Sequence, residues 1–373
     1  MALGPSGPGT AARAEPDRRL RPLYEIRIAY DTQKTMATKK HLIILNPTAA
    51  QGAAGKRVAE IEALLGSRGI KHETVLTKAV WHAAELAREA GRNGCDVVVA
   101  AGGDGTINEA INGLMLAAGR GERPPTLAVL AVGRGNDFAY GSDLPAGLEA
   151  CVDVIAAGME RSLDVGLVAG GFFPDGRYFG NGVGAGFDTI VGLEAAKMRH
   201  VHGFAAYVLG AVKTFAMYPV APEVRLTMED AVDRTIEQRS HMISFMNGKR
   251  LGGTFFTAPR ARNHDGLIDL CMTEGLTRRQ IIGLFPKYMK GTQAGDPLIK
   301  TGRAAHFRLE APNGGLVVHA DGETVCTDGR SLEIRCLPSR LRILYSPEIA
   351  ASFDARDAAQ AGEDSAAQRK GGA

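Results

Sequence analysis

Apolar and polar positions follow two rhythms along the chain. Between residues 41 and 132, short apolar runs alternate with amphipathic stretches. His41-Leu-Ile-Ile-Leu45, a short apolar run, reads as a buried strand, and Lys71-His-Glu-Thr-Val-Leu-Thr77, Asp96-Val-Val-Val-Ala100 and Leu127-Ala-Val-Leu-Ala-Val132 read as the second, third and fourth strands. Lys56–Ser67 carries Val58, Ile61, Leu64 and Leu65 on one helical face. Val80–Ala90 reads as a helix ended by Gly91, and Ile107–Ala118 as the helix after the third strand. This alternation predicts an α/β domain whose parallel sheet is covered on both faces.

From Gly166 the helical period thins. Strand-like runs begin at Val224, Met242, Ile268, His306, Leu316, Ser331 and Arg340, with turn residues between them. They predict a mostly antiparallel β domain. Two helices interrupt it, near 193–216 and 277–290, and Pro286 predicts a kink in the second. Within the first helix Phe204, Tyr207, Val208 and Leu209 read as core packing ahead of a lipid-facing wall. Trp81, the only tryptophan, reads as ordinary packing. The resulting division is a disordered extension over 1–38, an α/β domain over 39–165 and a β-sandwich over 166–337. A final strand over 338–347 returns to the first sheet, and a disordered tail covers 348–373.

Composition narrows the function classes. Net charge is only +3 over 373 residues, which argues against a dedicated nucleic-acid binder. A local basic patch at a membrane remains compatible with it. The five cysteines form no CxxC pair and read as reduced thiols rather than a zinc site. No run reaches the ~18 apolar residues of a membrane span. Phe204–Val212 is too short and meets Lys213. No signal-peptide apolar region precedes the first strand. The expected location is the cytoplasm, at the inner face of the membrane. Exposed sandwich edges leave room for a homodimer.

The candidate chemistry lies in the loops after the parallel strands, where open α/β sheets bind ligands. These loops are Asn46–Gly52, Thr77, Gly102-Gly-Asp-Gly-Thr106 and Gly133-Arg-Gly-Asn-Asp137. In Gly102-Gly103 the missing β-carbons let a phosphate approach backbone N–H groups. A helix beginning near Thr106 adds its N-terminal dipole, and Thr106 can cap it or donate its hydroxyl. Asp104 would repel a bare phosphate unless Mg2+ lies between them. No GxxxxGK[ST] loop exists, and Asn181–Phe187 lacks the βαβ setting of a dinucleotide fingerprint.

With these loops in place the chain resembles the diacylglycerol kinase catalytic-domain family, which includes bacterial lipid kinases and sphingosine and ceramide kinases. The resemblance is carried by ILNPTAAQG, GGDGTINE, AVGRGNDFA, NGVGAGFD, NGKRLGGTFFTAPRARNHDGLIDL and HADGE, from Ile44 to Glu323. It implies a phosphofructokinase-like nucleotide domain, a lipid-binding β-sandwich and an active site between them. It implies ATP contacts at Asn46, Thr77, Gly102, Gly103, Asp104, Gly105, Thr106, Ile107 and Asn108, with Arg134, Asn136 and Asp137 in the same cleft. It places a structural Mg2+ at Arg262, Asp265 and Leu267. The general base falls on Asp321, then Glu323, with Asp104 as rival. Arg134 stands where the family usually has threonine, and His264 where bacterial members often have a second acid. The function implied is ATP- and Mg2+-dependent phosphorylation of a lipid hydroxyl at a membrane surface, diacylglycerol first. The alternatives are an NAD kinase, which shares GGDGT, and a nucleotide-binding regulatory protein without turnover.

Overall fold

The computed structural model describes Met36 and residues 38–119, 124–198, 204–229, 234–355 and 358. Residues 1–35, read above as a disordered extension, lie outside them. The first domain runs β1 (His41–Leu45), α1 (Val58–Ser67), β2 (His72–Leu76), α2 (His82–Arg92), β3 (Val97–Gly102), α3 (Asp104–Ala118), β4 (Thr126–Ala131), α4 (Asp137–Gly141) and α5 (Leu148–Ala157). Strands pair in parallel in the order β2-β1-β3-β4. Every side chain of β3 is buried, as a central strand covered on both faces requires. Two helices differ from expectation. α2 continues through Gly91 to Arg92, and the left-handed turn falls at Gly94. α3 begins at Asp104 with Gly103 as its N-cap, so Thr106 sits in the first turn and does not cap it.

The second part runs β5 (Glu160–Gly170), β6 (Phe173–Phe179), β7 (Gly182–Gly186), α6 (Phe187–Ala196), α7 (Phe204–Met217), β8 (Glu223–Glu229), β9 (Arg234–Arg239), β10 (Met242–Met246), β11 (Ile268–Thr273), α8 (Arg278–Lys290), β12 (Ile299–Ala304), β13 (His306–Glu310), β14 (Leu316–Ala320), β15 (Glu323–Gly329) and β16 (Ser331–Leu344). One sheet of six antiparallel strands, β12-β11-β10-β7-β14-β15, faces a layer built from β5, β6, β8, β9, β13 and β16. Phe245 and Phe307 meet edge to face between the layers, 5.2 Å apart, in a core of Val, Leu, Ile and Met side chains.

β16 welds the two halves together. Two strands were expected at 331 and 340; they are one, interrupted by an irregularity between Leu337 and Leu341, with Ser339 left-handed. Its first half pairs with β13 in the sandwich, and Ile343 pairs in parallel with Leu127 of β4. Beyond it, residues 347–355 are helical, so the tail from 348 is ordered that far. Phe353 packs edge-on against Tyr140, and its ring lies 3.6 Å from Lys249 Nζ.

Candidate active site

The loops after β1, β3 and β4 enclose a cleft of about 450 Å3, lined by Asn46, Gly103, Gly105, Thr106, Gly133 and Arg134. The local chain explains why these residues converge. Asn46 Nδ2 donates to Thr106 Oγ1 at 3.1 Å, tying the first loop to the start of α3. A β-carbon on Gly133 would lie 2.3 Å from the Gly103 Cα, so the two glycine loops touch only because both lack side chains. Arg134 is exposed at the rim and lines the cleft. Thr77 closes β2 with a backbone bond to Leu45 but lines neither this cleft nor the cavity described next. Asn136 shapes its own loop, its Nδ2 donating to the Gly133 carbonyl at 3.2 Å.

Beside this cleft a cavity of about 370 Å3 opens between the domains. Asp104, Ile107, Asn108, Asp137 and Asp321 all line it. Asp104 Oδ1 accepts the Phe138 N–H at 3.0 Å. Asp137 Oδ1 accepts from Arg250 Nε and the Gly253 N–H, both at 2.9 Å. A β-carbon on Gly135 would lie 3.0 Å from Asp104 Oδ2 and 3.7 Å from Asp137 Oδ2. The two carboxylates therefore flank one small space that only glycine leaves open. Burial pushes both up from the ordinary range, and the Asp104 charge helps lift Asp137 to about 6. Two crowded carboxylates beside a glycine-lined cleft are a donor set that suits a hard divalent cation. Among the described residues no cluster of three or more such ligands occurs, so such an ion would need water or phosphate to complete its shell.

Asp321 closes the cavity from the sandwich side. It sits with Gly322 in a tight left-handed turn between β14 and β15. Its carboxylate accepts backbone N–H groups of Gly180 (2.7 Å), Asn181 (3.0 Å) and Gly182 (2.8 Å), and Asn108 Nδ2 (2.8 Å) from α3. Burial raises its pKa, and these four donors oppose the shift. One carboxylate thus clasps β7 and the helix of the glycine-rich loop together.

Two family models match consecutive parts of this chain: the diacylglycerol kinase catalytic domain over residues 40–168, and the YegS C-terminal NAD kinase beta sandwich-like domain over 181–345. The chain belongs to the diacylglycerol kinase catalytic-domain family. A diacylglycerol kinase of Mycobacterium tuberculosis is 29% identical over 302 residues, covering 81% of this chain and 93% of that protein. One from Bacillus subtilis is 28% identical over 289 residues, covering 76% and 90%. The probable lipid kinase YegS of Salmonella newport is 29% identical over 310 residues, covering 82% and 96%. A solved diacylglycerol kinase structure from Bacillus anthracis shares the fold, with a TM-score of 0.63 at 21% identity, covering 83% of this chain and 98% of that one.

Other family-implied residues take different places. Glu323 is turned away from the cavity, which Gly322 and Thr324 line. It accepts from Arg177 Nη2 at 2.8 Å. The Arg177 guanidinium lies 3.5 Å from the Trp81 ring centre and 5.1 Å from that of Phe173. Trp81 is therefore more than ordinary packing. It holds a left-handed backbone (φ 71°), unusual for a bulky residue, and stacks across the domain boundary. At the expected structural-metal site, Asp265 is ion-paired with Arg303 and accepts the Leu267 N–H at 3.2 Å, while Arg262 pairs with Asp354. Burial lifts neighbouring Asp269 to about 6.

Sequence reasoning missed Arg250, Arg177, Asp188 and His319. Arg250 stacks on Tyr140 at 4.1 Å while holding Asp137 and the Gly135 carbonyl. His319 Nε2 lies 3.4 Å from Asp188 Oδ2 on the cavity wall. Asp188 and Leu251 also line a neighbouring apolar pocket of about 80 Å3, walled by Phe255, Leu276, Leu284 and Phe285. Arg250, His319 and Asp188 each lay within a quoted motif, NGKRLGG, HADGE and NGVGAGFD, whereas Arg177 had no local signal.

Proposed function

We propose that this protein transfers the γ-phosphoryl group of ATP to the hydroxyl of a lipid, with diacylglycerol the first candidate and phosphatidic acid its product. The observation that carries this reading is the junction at Asp188, where a carboxylate-lined cavity beside a phosphate cradle meets an apolar pocket. A hydroxyl at the end of an apolar chain fits that junction. NAD has no alkyl chain to place there.

In this reading the Gly103–Thr106 backbone and the α3 N-terminus hold the β- and γ-phosphates, and Arg134 adds charge at the rim. Asp104 and Asp137 would hold Mg2+, which screens phosphate charge when bound. Asp321 lines the cavity and its pKa is raised, so we assign it the acceptor role toward the substrate hydroxyl. A loose phosphoryl-transfer transition state asks little basicity of that group; orientation matters more. Arg177 keeps Glu323 ion-paired outside the cavity. The substrate is reached at a membrane surface, on the cytoplasmic side where ATP is supplied.

The test is transfer of labelled γ-phosphate from ATP with Mg2+ to diacylglycerol, monoacylglycerol, sphingosine, ceramide and undecaprenol in mixed micelles, and to NAD in buffer. Label in a lipid, lost in Asp104→Ala and in Asp321→Asn, supports the proposal. Label in NAD alone overturns it, and so does nucleotide binding with no transfer to any acceptor. Loss in Glu323→Gln but not in Asp321→Asn would move the acceptor role to Glu323.

A further inference from the structure

Exposed apolar side chains are not spread evenly over this molecule. Among the described residues, eight of the thirteen large exposed hydrophobics fall in two stretches. Val208, Leu209, Val212, Met217 and Val220 lie on or just past α7, and Ile282, Phe285 and Met289 on α8. The α8 trio is spaced i, i+3, i+7, one stripe of a helix whose opposite face buries Leu284 and Tyr288. The two helices abut. Arg278 Nη2 donates to the Ala216 carbonyl at 3.1 Å, and its guanidinium lies 4.8 Å from the Tyr218 ring. That contact, and the pocket that Ala211 of α7 and Ile281, Leu284 and Phe285 of α8 line together, place the two stretches side by side.

Their charge has one sign. Residues 204–220 and 277–292 contain no Asp or Glu, and they carry Lys213, Arg278, Arg279, Lys287 and Lys290. Lys213 reaches Glu194 and Lys287 reaches Asp296; Arg278, Arg279 and Lys290 are exposed. An apolar stripe edged by cations matches the headgroup boundary of an anionic bilayer. No described helix is long and apolar enough to cross a membrane, so the geometry is that of a surface lying on it.

The surface also surrounds the way to the pocket. Phe285 belongs both to the exposed stripe and to the apolar pocket wall, where it meets Phe255 edge to face at 5.1 Å. At about 80 Å3, against about 370 Å3 for the cavity beside it, that pocket is the smaller of the two, and an apolar chain longer than it would continue along the stripe. We propose that α7 and α8 form a docking face for a bilayer containing anionic phospholipid, seating the pocket mouth against the acyl region. The inference rests on the lipid-kinase reading for its purpose but not for its measurement.

The test is co-sedimentation of the full chain, without ATP, with vesicles of phosphatidylcholine alone or with about 30% phosphatidylglycerol. Wild-type protein is expected in the pellet with the anionic vesicles. Ile282→Glu/Met289→Glu, at two exposed positions outside the pocket wall, is expected to lower partitioning by at least about tenfold. Arg279→Glu/Lys290→Glu is expected to remove the preference for phosphatidylglycerol. Transfer to a water-soluble short-chain diacylglycerol is expected to persist in both. An Ile282→Trp protein supplies a second readout, a blue shift of its emission on adding vesicles. Wild-type protein remaining in the supernatant overturns the proposal, as does unchanged partitioning of the Ile282→Glu/Met289→Glu protein. A dimer in sedimentation velocity that the same variant splits assigns the face to a second copy instead, and also overturns it. Vesicle binding without lipid phosphorylation leaves the docking face standing and removes the kinase reading.

Discussion

Replacing Asp137 by asparagine should stabilise this protein at neutral pH while disabling its site. Burial and the adjacent Asp104 charge raise the Asp137 carboxyl from 3.8 to about 6. The folded chain therefore holds that proton more tightly than the unfolded chain. Stability falls as pH rises from about 4 through about 6 and stays lower above that. At 1.36 kcal/mol per pH unit, the difference comes to about 3 kcal/mol. Asparagine removes the charge and keeps an oxygen for the Arg250 and Gly253 donors. Thermal melts followed by circular dichroism should then place Asp137→Asn above wild type by about 5 °C at pH 7.5, with the gap narrowing to about a third of that by pH 4.5. Mg2+ with ADP should raise the wild-type Tm at pH 7.5 and move the variant little, since binding stabilises only the state that binds. Phosphoryl transfer should be lost. A Tm gap that is the same at both pH values would refute the reasoning, as would a wild type more stable than the variant at pH 7.5. Either result would mean that the Arg250 and Gly253 hydrogen bonds outweigh burial.

Gly133→Ala should abolish binding of a fluorescent ATP analogue, because the added carbon meets the Gly103 backbone at 2.3 Å and forces the cradle apart; retained affinity would show the loops separate without penalty. Asp321→Asn should cost about 3 kcal/mol in a denaturant melt, since an amide turns a donor toward groups that are themselves donors. Glu323→Gln should leave the melt within about 0.5 kcal/mol, as expected for a partly exposed ion pair. Trp81→Ala should destabilise by about 1 kcal/mol through loss of the Arg177 stack, while Trp81→Gly, which relieves the left-handed backbone, should lose less; equal losses in the two melts would place the whole effect in the side chain.

The sequence determined what depends on near neighbours in the chain. Continuous apolar runs mark β1, β3 and β4, because a strand buried on both faces must be apolar throughout, whereas β2, His-Glu-Thr-Val-Leu, is the half-exposed edge of the sheet. Glycines at the strand ends mark where the two loops meet, since only they allow the approach of Gly133 to Gly103. β7 was harder to see. Its sequence, Gly-Val-Gly-Ala-Gly, has the composition of a loop and becomes a strand only by pairing with β10 and β14. The split of β16 into two predicted strands has the same origin: Pro338 and Ser339 look like an end, and pairing with β5 on both sides makes them a bulge. At the site, Asp104 and Asp321 are motif residues that the chain announces. Their junction is not announced, because Asn108 meets Asp321 across 213 positions and Arg250 meets Asp137 across 113. The separation of Asp321 from Glu323, two residues apart, was likewise decided by tertiary structure. Asp321 sits in the left-handed turn and Glu323 opens β15, so no strand alternation separates them; the turn, pinned by the Gly180 and Gly182 N–H groups, aims one carboxylate into the cavity and leaves the other to Arg177.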